Sequence, residues 1–209
     1  MLKTRAGRRF LCAAGVGAAA LALVLGLRLS RPAYRPQAPE YRGRGPDAAP
    51  VELAMFSDFE CGGCRASEEP LKQLDGLFPG KIRFIFKHMP WDFHRHAQAA
   101  AVAAECAGRA GKFWAYHDLL FTKQAEWVVV EDPAPLFARY ARDVGAAAAP
   151  FEACRKDPAS AAAVDADAKE AKDHWVRATP TFFVNGKRFV GVRQLRGPGF
   201  NLIERALKK

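Results

Sequence analysis

Cys61 and Cys64 are the residues whose type and spacing most directly suggest chemistry in this chain of 209 residues. They lie where an apolar stretch predicted to be a strand, residues 51–56, gives way to a helical pattern over residues 61–78. In the first turn of a helix the backbone N–H groups lack intrahelical partners and the macrodipole is positive. A thiolate at Cys61 should therefore be stabilised and its pKa lowered. Cys64 follows one helical turn later, close enough to form a disulfide with Cys61.

Metal binding is the alternative interpretation of this pair. A structural zinc site usually takes four Cys or His ligands, and the chain contains no second pair of cysteines with this spacing. His94 and His96 do not have the i, i+4 spacing that places two ligands on one face of a helix. We therefore expect no metal, and exchange between thiols requires no cofactor. The chain's histidines are His88, His94, His96, His117 and His174.

The elements that position the two cysteines are predicted as β-α-β, then a run of helices, then β-β-α. The segment 81–86 alternates polar and apolar residues, which predicts a second strand parallel to the first. Pro70 is expected to kink the first helix. Asn185-Gly186 predicts a tight hairpin. The later segments are helices over residues 94–108, 112–122, 133–145, 149–156 and 160–175, strands over 181–184 and 187–192, and a final helix over 199–207.

The net charge of +10 is concentrated at the N-terminus. Residues 1–50 carry nine Lys or Arg and two acids, whereas residues 51–209 carry 23 and 20. The predicted domain is thus only weakly basic, which argues against nucleic acid as a partner. Lys87 and His88, at the end of the second strand, are interpreted as solvated.

Residues 1–30 have the pattern of a signal-anchor or signal peptide. Basic residues precede an uncharged run over residues 10–27, which places the N-terminus in the cytoplasm and the rest outside. No convincing cleavage site follows, so we favour an uncleaved membrane anchor over a cleaved signal. Residues 31–50 are rich in Pro and Arg and are predicted to form an extended tether. The folded domain is expected over residues 51–209.

Four segments of this domain resemble the DsbA-like branch of the thioredoxin superfamily, in particular its exported or membrane-tethered bacterial members. The four segments are residues 56–64 (FSDFECGGC), 103–106 (AAEC), 111–121 (GKFWAYHDLLF) and 179–186 (TPTFFVNG). The first and the last of them are the most specific as a pair.

The resemblance implies an α/β thioredoxin fold with an all-helical domain inserted after the second core strand, over about residues 92–176. It also implies that Cys61 is the attacking thiol, that Cys64 is the resolving thiol, and that Thr179 and Pro180 form a cis-proline loop facing them. Members of the family exchange disulfides with exported proteins that contain cysteines, and a redox partner in the membrane is expected. The expected location is the bacterial inner membrane with the domain in the periplasm or outside the cell, or the soluble periplasm if the signal is cleaved.

Two positions depart from the family pattern. Members often have a buried Glu six residues before the first cysteine, where it relays protons to the resolving thiol. In this chain that position is occupied by Met55. Asp58 or Glu60 could substitute for that acid, but we favour the interpretation of both as solvated loop acids. Between the cysteines lie Gly62 and Gly63, whereas strongly oxidising members carry a residue such as His there. The redox potential is therefore left open by the sequence.

Cys106 and Cys154 lie on separate predicted helices of the insertion. They could be a second redox pair, but we favour a structural disulfide, which would stabilise the fold by about 4 kcal/mol for a loop of this length.

Three functions fit these observations. The first is a thiol–disulfide oxidase that introduces disulfides into exported proteins. The second is a reductase or isomerase with the same residues, for example in cytochrome maturation. The third is a copper-binding module that uses Cys61 and Cys64 as soft thiolate ligands.

Overall fold

The computed structural model of the chain describes residues 33–208. The segment predicted as a signal or membrane anchor, residues 1–30, lies outside these residues. Within residues 33–208, no helix combines the length and the apolar character needed to cross a bilayer.

Five strands form one mixed sheet in the order β1-β3-β2-β4-β5. Strand β2 pairs in parallel with β3, from Val51 opposite Ile82 to Ser57 opposite His88, and antiparallel with β4. The predicted β-α-β unit and the hairpin at Asn185-Gly186 are therefore confirmed. The strands are β1 (Gly43–Arg44), β2 (Val51–Ser57), β3 (Ile82–His88), β4 (Thr181–Val184) and β5 (Lys187–Val190).

The helices between β3 and β4 form the insertion, so the predicted α/β thioredoxin fold with a helical insertion is confirmed. Its helices are α3 (Ala97–Arg109), α4 (Phe113–Thr122), α5 (Gln124–Trp127), α6 (Ala134–Asp143), α7 (Ala148–Lys156) and α8 (Pro158–Asp173). The other α-helices in residues 33–208 are α1 (Gly62–Arg65), α2 (Glu68–Leu77), α9 (Gly191–Gln194) and α10 (Phe200–Leu207), and a π-turn, Leu195–Gly199, joins the last two. The short helices α5 and α9 were not predicted from the sequence.

The helix predicted to run without a break from residue 61 to 78 is divided in two. Helix α1 ends at Arg65 and α2 begins at Glu68. Pro70 has no N–H to donate to the carbonyl of Ala66, so the helical ladder cannot continue across this point. The Ser67 hydroxyl donates instead to the carbonyl of Cys64 at 2.6 Å. The division leaves the two cysteines on a separate short element.

Helix α3 is the central helix of the insertion. Ten of its thirteen residues are buried, most of them alanines, and such small side chains allow neighbouring helices to approach closely. A disulfide between Cys106 on α3 and Cys154 on α7 has an S–S distance of 2.02 Å. The hydroxyl of Ser160, the third residue of α8, lies 3.3 Å from the Cys154 sulfur. The disulfide therefore joins two helices beside the start of a third.

The predicted tether differs from the structure over residues 34–44, which pack against the domain. The Tyr34 ring is buried against Phe56 and Phe183, with ring centroids 5.8 and 4.2 Å away. Strand β1 adds to the sheet by pairing antiparallel with β3. The sequence signal of Pro and Arg suggested a solvated segment, but aromatic and hydrogen-bonding contacts with the domain fix its position.

A cluster of buried charges connects this segment to the sheet and the insertion. The Arg42 guanidinium, 2% exposed, contacts Glu105 at 3.0 Å and also bonds Asp167. Lys87 lies 2.5 Å from Asp167. His88 and Lys87 are buried, so their interpretation as solvated residues was wrong. Burial lowers the pKa of His88 and keeps it neutral. Burial would raise the pKa of Glu105, but the contact with His88 Nε2 at 3.5 Å and the charge of Arg42 outweigh it and lower that pKa to about 2.

Removing Arg42 should destabilise the domain much more than removing an exposed arginine. We expect Arg42→Ala to lower the free energy of unfolding by about 3–5 kcal/mol, because it leaves Glu105 and Asp167 buried without their cation. Arg139→Ala is the matched control, since Arg139 and its partner Glu126, 3.4 Å apart, are 48% and 45% exposed, and such pairs contribute about 0–1 kcal/mol. Urea denaturation measures both values. Equal losses in the two variants would contradict the importance of the buried cluster.

Candidate active site

Cys61 occupies the N-cap of α1, and its carbonyl accepts the N–H groups of Cys64 and Arg65, both at 3.1 Å. Its side chain is half-buried. The pKa of Cys61 is lowered to about 5, first because the Cys64 thiol donates a hydrogen bond to its sulfur. Burial opposes this effect, and hydrogen bonds from the Thr179 side chain and from the backbone of Cys64 and Gly63 add to it. Cys61 is therefore a thiolate at neutral pH and can be reached from solvent.

Cys64 has the opposite character. It has no exposed surface, and its sulfur accepts the N–H of Asp58 at 3.4 Å. Burial raises the pKa of Cys64, and the hydrogen bond with Cys61 and the negative charge there raise it further. In the reduced pair the proton thus resides on Cys64 and the negative charge on Cys61. This places the nucleophile at Cys61 and a buried, protonated thiol behind it.

The loop before β4 lies across from the Cys61 sulfur. The Thr179–Pro180 peptide bond is cis, and the Thr179 carbonyl oxygen lies 3.6 Å from the Cys61 sulfur, where it can accept a hydrogen bond only from the protonated thiol. A Cβ added at Gly63 would lie 3.4 Å from Pro180 and 3.6 Å from the Cys61 sulfur, whereas one added at Gly62 would meet nothing within 4 Å. The structure thus brings together all four residues predicted for the site, Cys61, Cys64, Thr179 and Pro180.

Asp58 is buried, so its interpretation as a solvated loop acid was wrong. One carboxylate oxygen accepts the N–H of Glu60 at 2.8 Å. The other accepts the N–H of Trp91 at 2.9 Å and contacts Nδ1 of His94 at 2.7 Å. Asp58 therefore ties the loop that carries the cysteines to the loop that follows β3. Glu60 serves the same connection, since its carboxylate accepts the N–H of His96 at 2.6 Å.

Met55 lies in β2 with Phe86 and Phe182 as its partners in the neighbouring strands. It is 2% exposed, so the position where relatives often place a buried acid is here part of the apolar core. Both carboxylate oxygens of Asp58 have partners on the two loops, and the group of Asp58 that contacts the Cys64 sulfur is its backbone N–H.

Gln124 and Trp91 belong to the site although the sequence analysis did not identify them. Gln124, on α5, donates from its side chain to the carbonyls of Phe59 at 2.7 Å and Cys61 at 3.2 Å. The Trp91 indole donates to the Thr179 hydroxyl at 2.9 Å. Neither residue belongs to a motif. A lone Gln in a four-residue helix and a Trp in a loop carry no periodic signal.

The histidines do not converge on a common site. His94 contacts Asp58, His96 contacts the Val130 carbonyl at 2.9 Å, and the His174 ring packs on Tyr34. In the described part of the chain, one group of three potential ligands was found, and it contains neither cysteine of the pair: Glu68, His117 and Asp118. In this group His117 Nδ1 already has a partner, Asp118, at 2.9 Å.

Comparison with known proteins supports the architecture. A family model described as thioredoxin matches residues 38–196. Among curated proteins, the chain is 40% identical over 149 residues to a Na(+)/H(+) antiporter NhaA 1 from Salinispora arenicola and 33% identical over 148 residues to NhaA from Herminiimonas arsenicoxydans. These matches cover 71% of the chain but 22% and 23% of those proteins. The chain thus spans about a fifth of the length of the curated relatives it matches.

Solved structures of the same fold include two that are described as thiol–disulfide exchange protein and thiol–disulfide oxidoreductase. BdbD from Bacillus subtilis superposes with a TM-score of 0.70 at 23% identity, covering 86% of this chain and 100% of that one. The exchange protein α-DsbA2 from Wolbachia pipientis gives 0.67 at 22% identity, covering 79% and 86%. MdbA from Corynebacterium diphtheriae gives 0.58 at 19% identity, covering 78% and 85%. At these identities the likeness concerns the fold.

The hydrogen bond from Cys64 predicts how substitutions at that position change the Cys61 pKa. In the reduced protein, Cys64→Ala removes the donor and should raise the pKa of Cys61 above its value of about 5. Cys64→Ser keeps an O–H donor and should leave the pKa closer to that of the unmodified protein. The ultraviolet absorbance of the thiolate, followed against pH, gives both midpoints. Identical midpoints for Ala and Ser would show that the Cys64 donor does not set the Cys61 pKa.

Proposed function

Because this chain belongs to the thioredoxin family, we propose that it is an oxidase that introduces disulfides into exported proteins through the Cys61–Cys64 pair. Its general activity is that of a thiol–disulfide oxidoreductase. The direction of exchange, the location and the partners are the parts that we propose here. The antiporter activity in the names of the curated relatives belongs to those longer proteins and is not proposed for this chain.

The observation that carries the proposal is the unequal state of the two thiols. Cys61 is half-buried with a pKa lowered to about 5, whereas Cys64 is buried with a raised pKa. A thiolate that the folded protein stabilises favours the reduced pair over the disulfide, which makes the disulfide an oxidant. The stabilisation of the reduced protein by the Cys61 thiolate is full above the ordinary thiol pKa of about 9 and is lost as the pH falls through about 5.

The reaction that we propose has two exchange steps. A substrate thiolate attacks the Cys61 sulfur of the Cys61–Cys64 disulfide, the S–S bond breaks, and Cys64 leaves and takes up a proton. A second substrate thiolate then attacks the substrate sulfur of the mixed disulfide and expels Cys61 as a thiolate. The substrate loses two electrons and gains a disulfide, while the protein becomes the dithiol. We propose that a redox partner in the membrane then removes these electrons.

The location that we propose is outside the cytoplasm, with the N-terminal apolar segment as a membrane anchor or as a cleaved signal. A disulfide between Cys106 and Cys154, away from the exchange site, is typical of proteins in oxidising compartments. The basic residues before the apolar run are consistent with this orientation.

A reductase or isomerase is the second candidate, and Gly63 is the observation that favours it. The space beside the Cys61 sulfur at Gly63 holds no side chain, so no cation from this position stabilises the thiolate. A copper-binding module, in which Cys61 and Cys64 would be the soft thiolate ligands of Cu(I), is the third candidate.

Equilibration with glutathione distinguishes these functions. For an oxidase we expect reduced glutathione to reduce the Cys61–Cys64 disulfide at ratios that leave Cys106–Cys154 intact, and the oxidised protein to oxidise a dithiol peptide stoichiometrically. For a reductase the Cys61–Cys64 disulfide would persist under the same ratios. Metal analysis after exposure to Cu(I) tests the third function.

A Cys64→Ser variant should accumulate mixed disulfides through Cys61, with Cys61→Ser as the control that forms none.

A positive charge placed at position 63 should make the disulfide more oxidising. In Gly63→His the imidazole would lie beside the Cys61 sulfur, where its protonated form stabilises the thiolate. We expect the equilibrium with glutathione to shift about tenfold toward the reduced protein, roughly 30 mV. Gly62→His is the matched control, since a Cβ at that position meets nothing within 4 Å. Equal shifts in both variants would contradict a local effect at position 63.

A further inference from the structure

Trp175 is an exposed aromatic residue in a backbone conformation that tryptophan rarely adopts. It follows the end of α8, with φ at +57° and 59% of its surface exposed. A residue in this left-handed conformation at the end of a helix is usually Gly or Asn, because a bulky side chain is strained there. The N–H of the next residue, Val176, bonds the carbonyl of Ala171 at 2.8 Å, and Val176 is buried. The fold therefore holds a large aromatic ring toward solvent at the point where the helix ends.

Two arginines flank the ring and the backbone of Trp175. The guanidinium carbon of Arg177 lies 5.1 Å from the centroid of the Trp175 ring. Arg188, on the edge strand β5, donates to the Trp175 carbonyl at 2.9 Å. Lys187 precedes Arg188 on the same strand, and the three basic residues are exposed. We refer to Trp175, Arg177, Lys187 and Arg188 as the Trp–Arg surface.

The Trp–Arg surface lies in the part of the domain that carries its excess of positive charge. Residues 33–173 have 18 Lys or Arg and 21 acids, whereas residues 174–203 have five Lys or Arg and no acid. Asp173, the last acid before this stretch, pairs with Lys169 at 2.6 Å. Tryptophan is enriched at the membrane–water interface, and Lys and Arg near a bilayer are attracted to anionic lipid. An anionic lipid surface therefore fits both the exposed ring and the charge beside it.

The start of the described chain lies next to the Trp–Arg surface. The Tyr34 ring contacts the ring of His174, the residue before Trp175, with centroids 4.6 Å apart. The uncharged run that we propose as a membrane anchor ends at residue 27, seven positions before Tyr34. Seven residues span at most about 25 Å when fully extended. An anchor at this run would therefore keep the Trp–Arg surface close to the bilayer.

We propose that the Trp–Arg surface docks on the anionic headgroups of the membrane that holds the N-terminal segment, with the Trp175 indole at the level of the headgroups. The proposal rests on the location given under the proposed function, but it does not depend on the direction of disulfide exchange. Arg177 lies two residues before Thr179, so docking would also hold the cis-proline loop and Cys61 near the bilayer. The exchange site would then be within reach of a redox partner in the membrane.

Quenching of Trp175 fluorescence by lipid tests the proposal. The full chain is reconstituted in vesicles of phosphatidylcholine brominated near the headgroup end of its acyl chains, with or without phosphatidylglycerol. We expect quenching about threefold stronger in the anionic vesicles, because their surface attracts the basic side chains. Trp175→Phe should remove most of this difference, and so should 1 M salt, where the Debye length is about 3 Å. Equal quenching of the unmodified protein in neutral and anionic vesicles would overturn the proposal.

Charge reversal assigns the effect to this surface. Arg177→Glu combined with Lys187→Glu should lower the quenching to the level seen in neutral vesicles, while Arg188 keeps its bond to the Trp175 carbonyl. Arg142→Glu combined with Lys156→Glu is the matched control, because these residues are also exposed but lie on the helical insertion. Equal losses in the two double variants would show a general effect of net charge and would overturn the assignment. Trp175 fluorescence that responds to soluble polyglutamate but not to vesicles would indicate an acidic protein partner and would also overturn it.

Two separate measurements distinguish this inference from the proposed function. Resistance to carbonate extraction reports whether the N-terminal segment anchors the chain, and oxidation of a dithiol peptide in solution reports exchange. Anionic vesicles added to a chain that is not anchored still test docking through the Trp175 signal. Loss of the anchor would therefore contradict the proposed location, whereas an anchored chain without quenching at Trp175 would contradict docking alone.

Discussion

Buried charges that neutralise one another determine how the N-terminal segment, the sheet and the helical insertion pack together. Arg42 comes from the N-terminal segment, Lys87 from the end of β3, Glu105 from α3 and Asp167 from α8. Each charge, if buried alone, would cost several kcal/mol, so the four elements must lie together for any of them to be buried. Glu105, with its pKa lowered to about 2, stabilises the fold fully above its ordinary pKa of 4.5 and loses this contribution as the pH falls toward 2.

The same cluster fixes the loop beside the cysteines. The carboxylate of Asp167 accepts the N–H of His88 at 2.8 Å, which holds the last residue of β3. The next residue, Met89, donates its N–H to the carbonyl of Ser57 at 2.9 Å and thereby joins the ends of the two parallel strands. Trp91 follows, and Asp58 accepts its backbone N–H. The position of the exchange site thus depends on ionic contacts in the interior through a short, continuous series of backbone hydrogen bonds.

The sequence was sufficient to predict the features that depend on local pattern. The strands from Val51 and Ile82, the Asn185-Gly186 hairpin and the longer helices of the insertion follow from periodicity and from the turn residues between them. The features that were missed depend on contacts between distant segments. Burial of Arg42 requires Glu105 and Asp167, which lie 63 and 125 positions away. A lone charged residue gives no sign in the sequence of such partners, and an arginine near prolines is usually solvated.

The residues of the site also separate into those predicted from a local pattern and those that depend on contacts between distant segments. The spacing of Cys61 and Cys64 at a strand–helix junction indicated exchange chemistry, and the resemblance supplied Thr179 and Pro180. Asp58 was misinterpreted because an acid just after a strand is commonly a solvated cap. Its burial follows from N–H groups on a loop some thirty residues later, which no short motif reports.

The packing around Cys64 also bears on the rates of the two proposed exchange steps. The lower the pKa of a thiol, the better it leaves in disulfide exchange. Met55 places an apolar side chain where relatives often have an acid, and both carboxylate oxygens of Asp58 already have partners. Cys64 is buried and its sulfur accepts one hydrogen bond from the backbone. Burial raises the pKa of Cys64. Expulsion of Cys64 by an incoming substrate is therefore the slower step and expulsion of Cys61 the faster one. Mixed disulfides should then form slowly and resolve quickly, so the unequal burial of the two sulfurs limits how long a substrate remains bound.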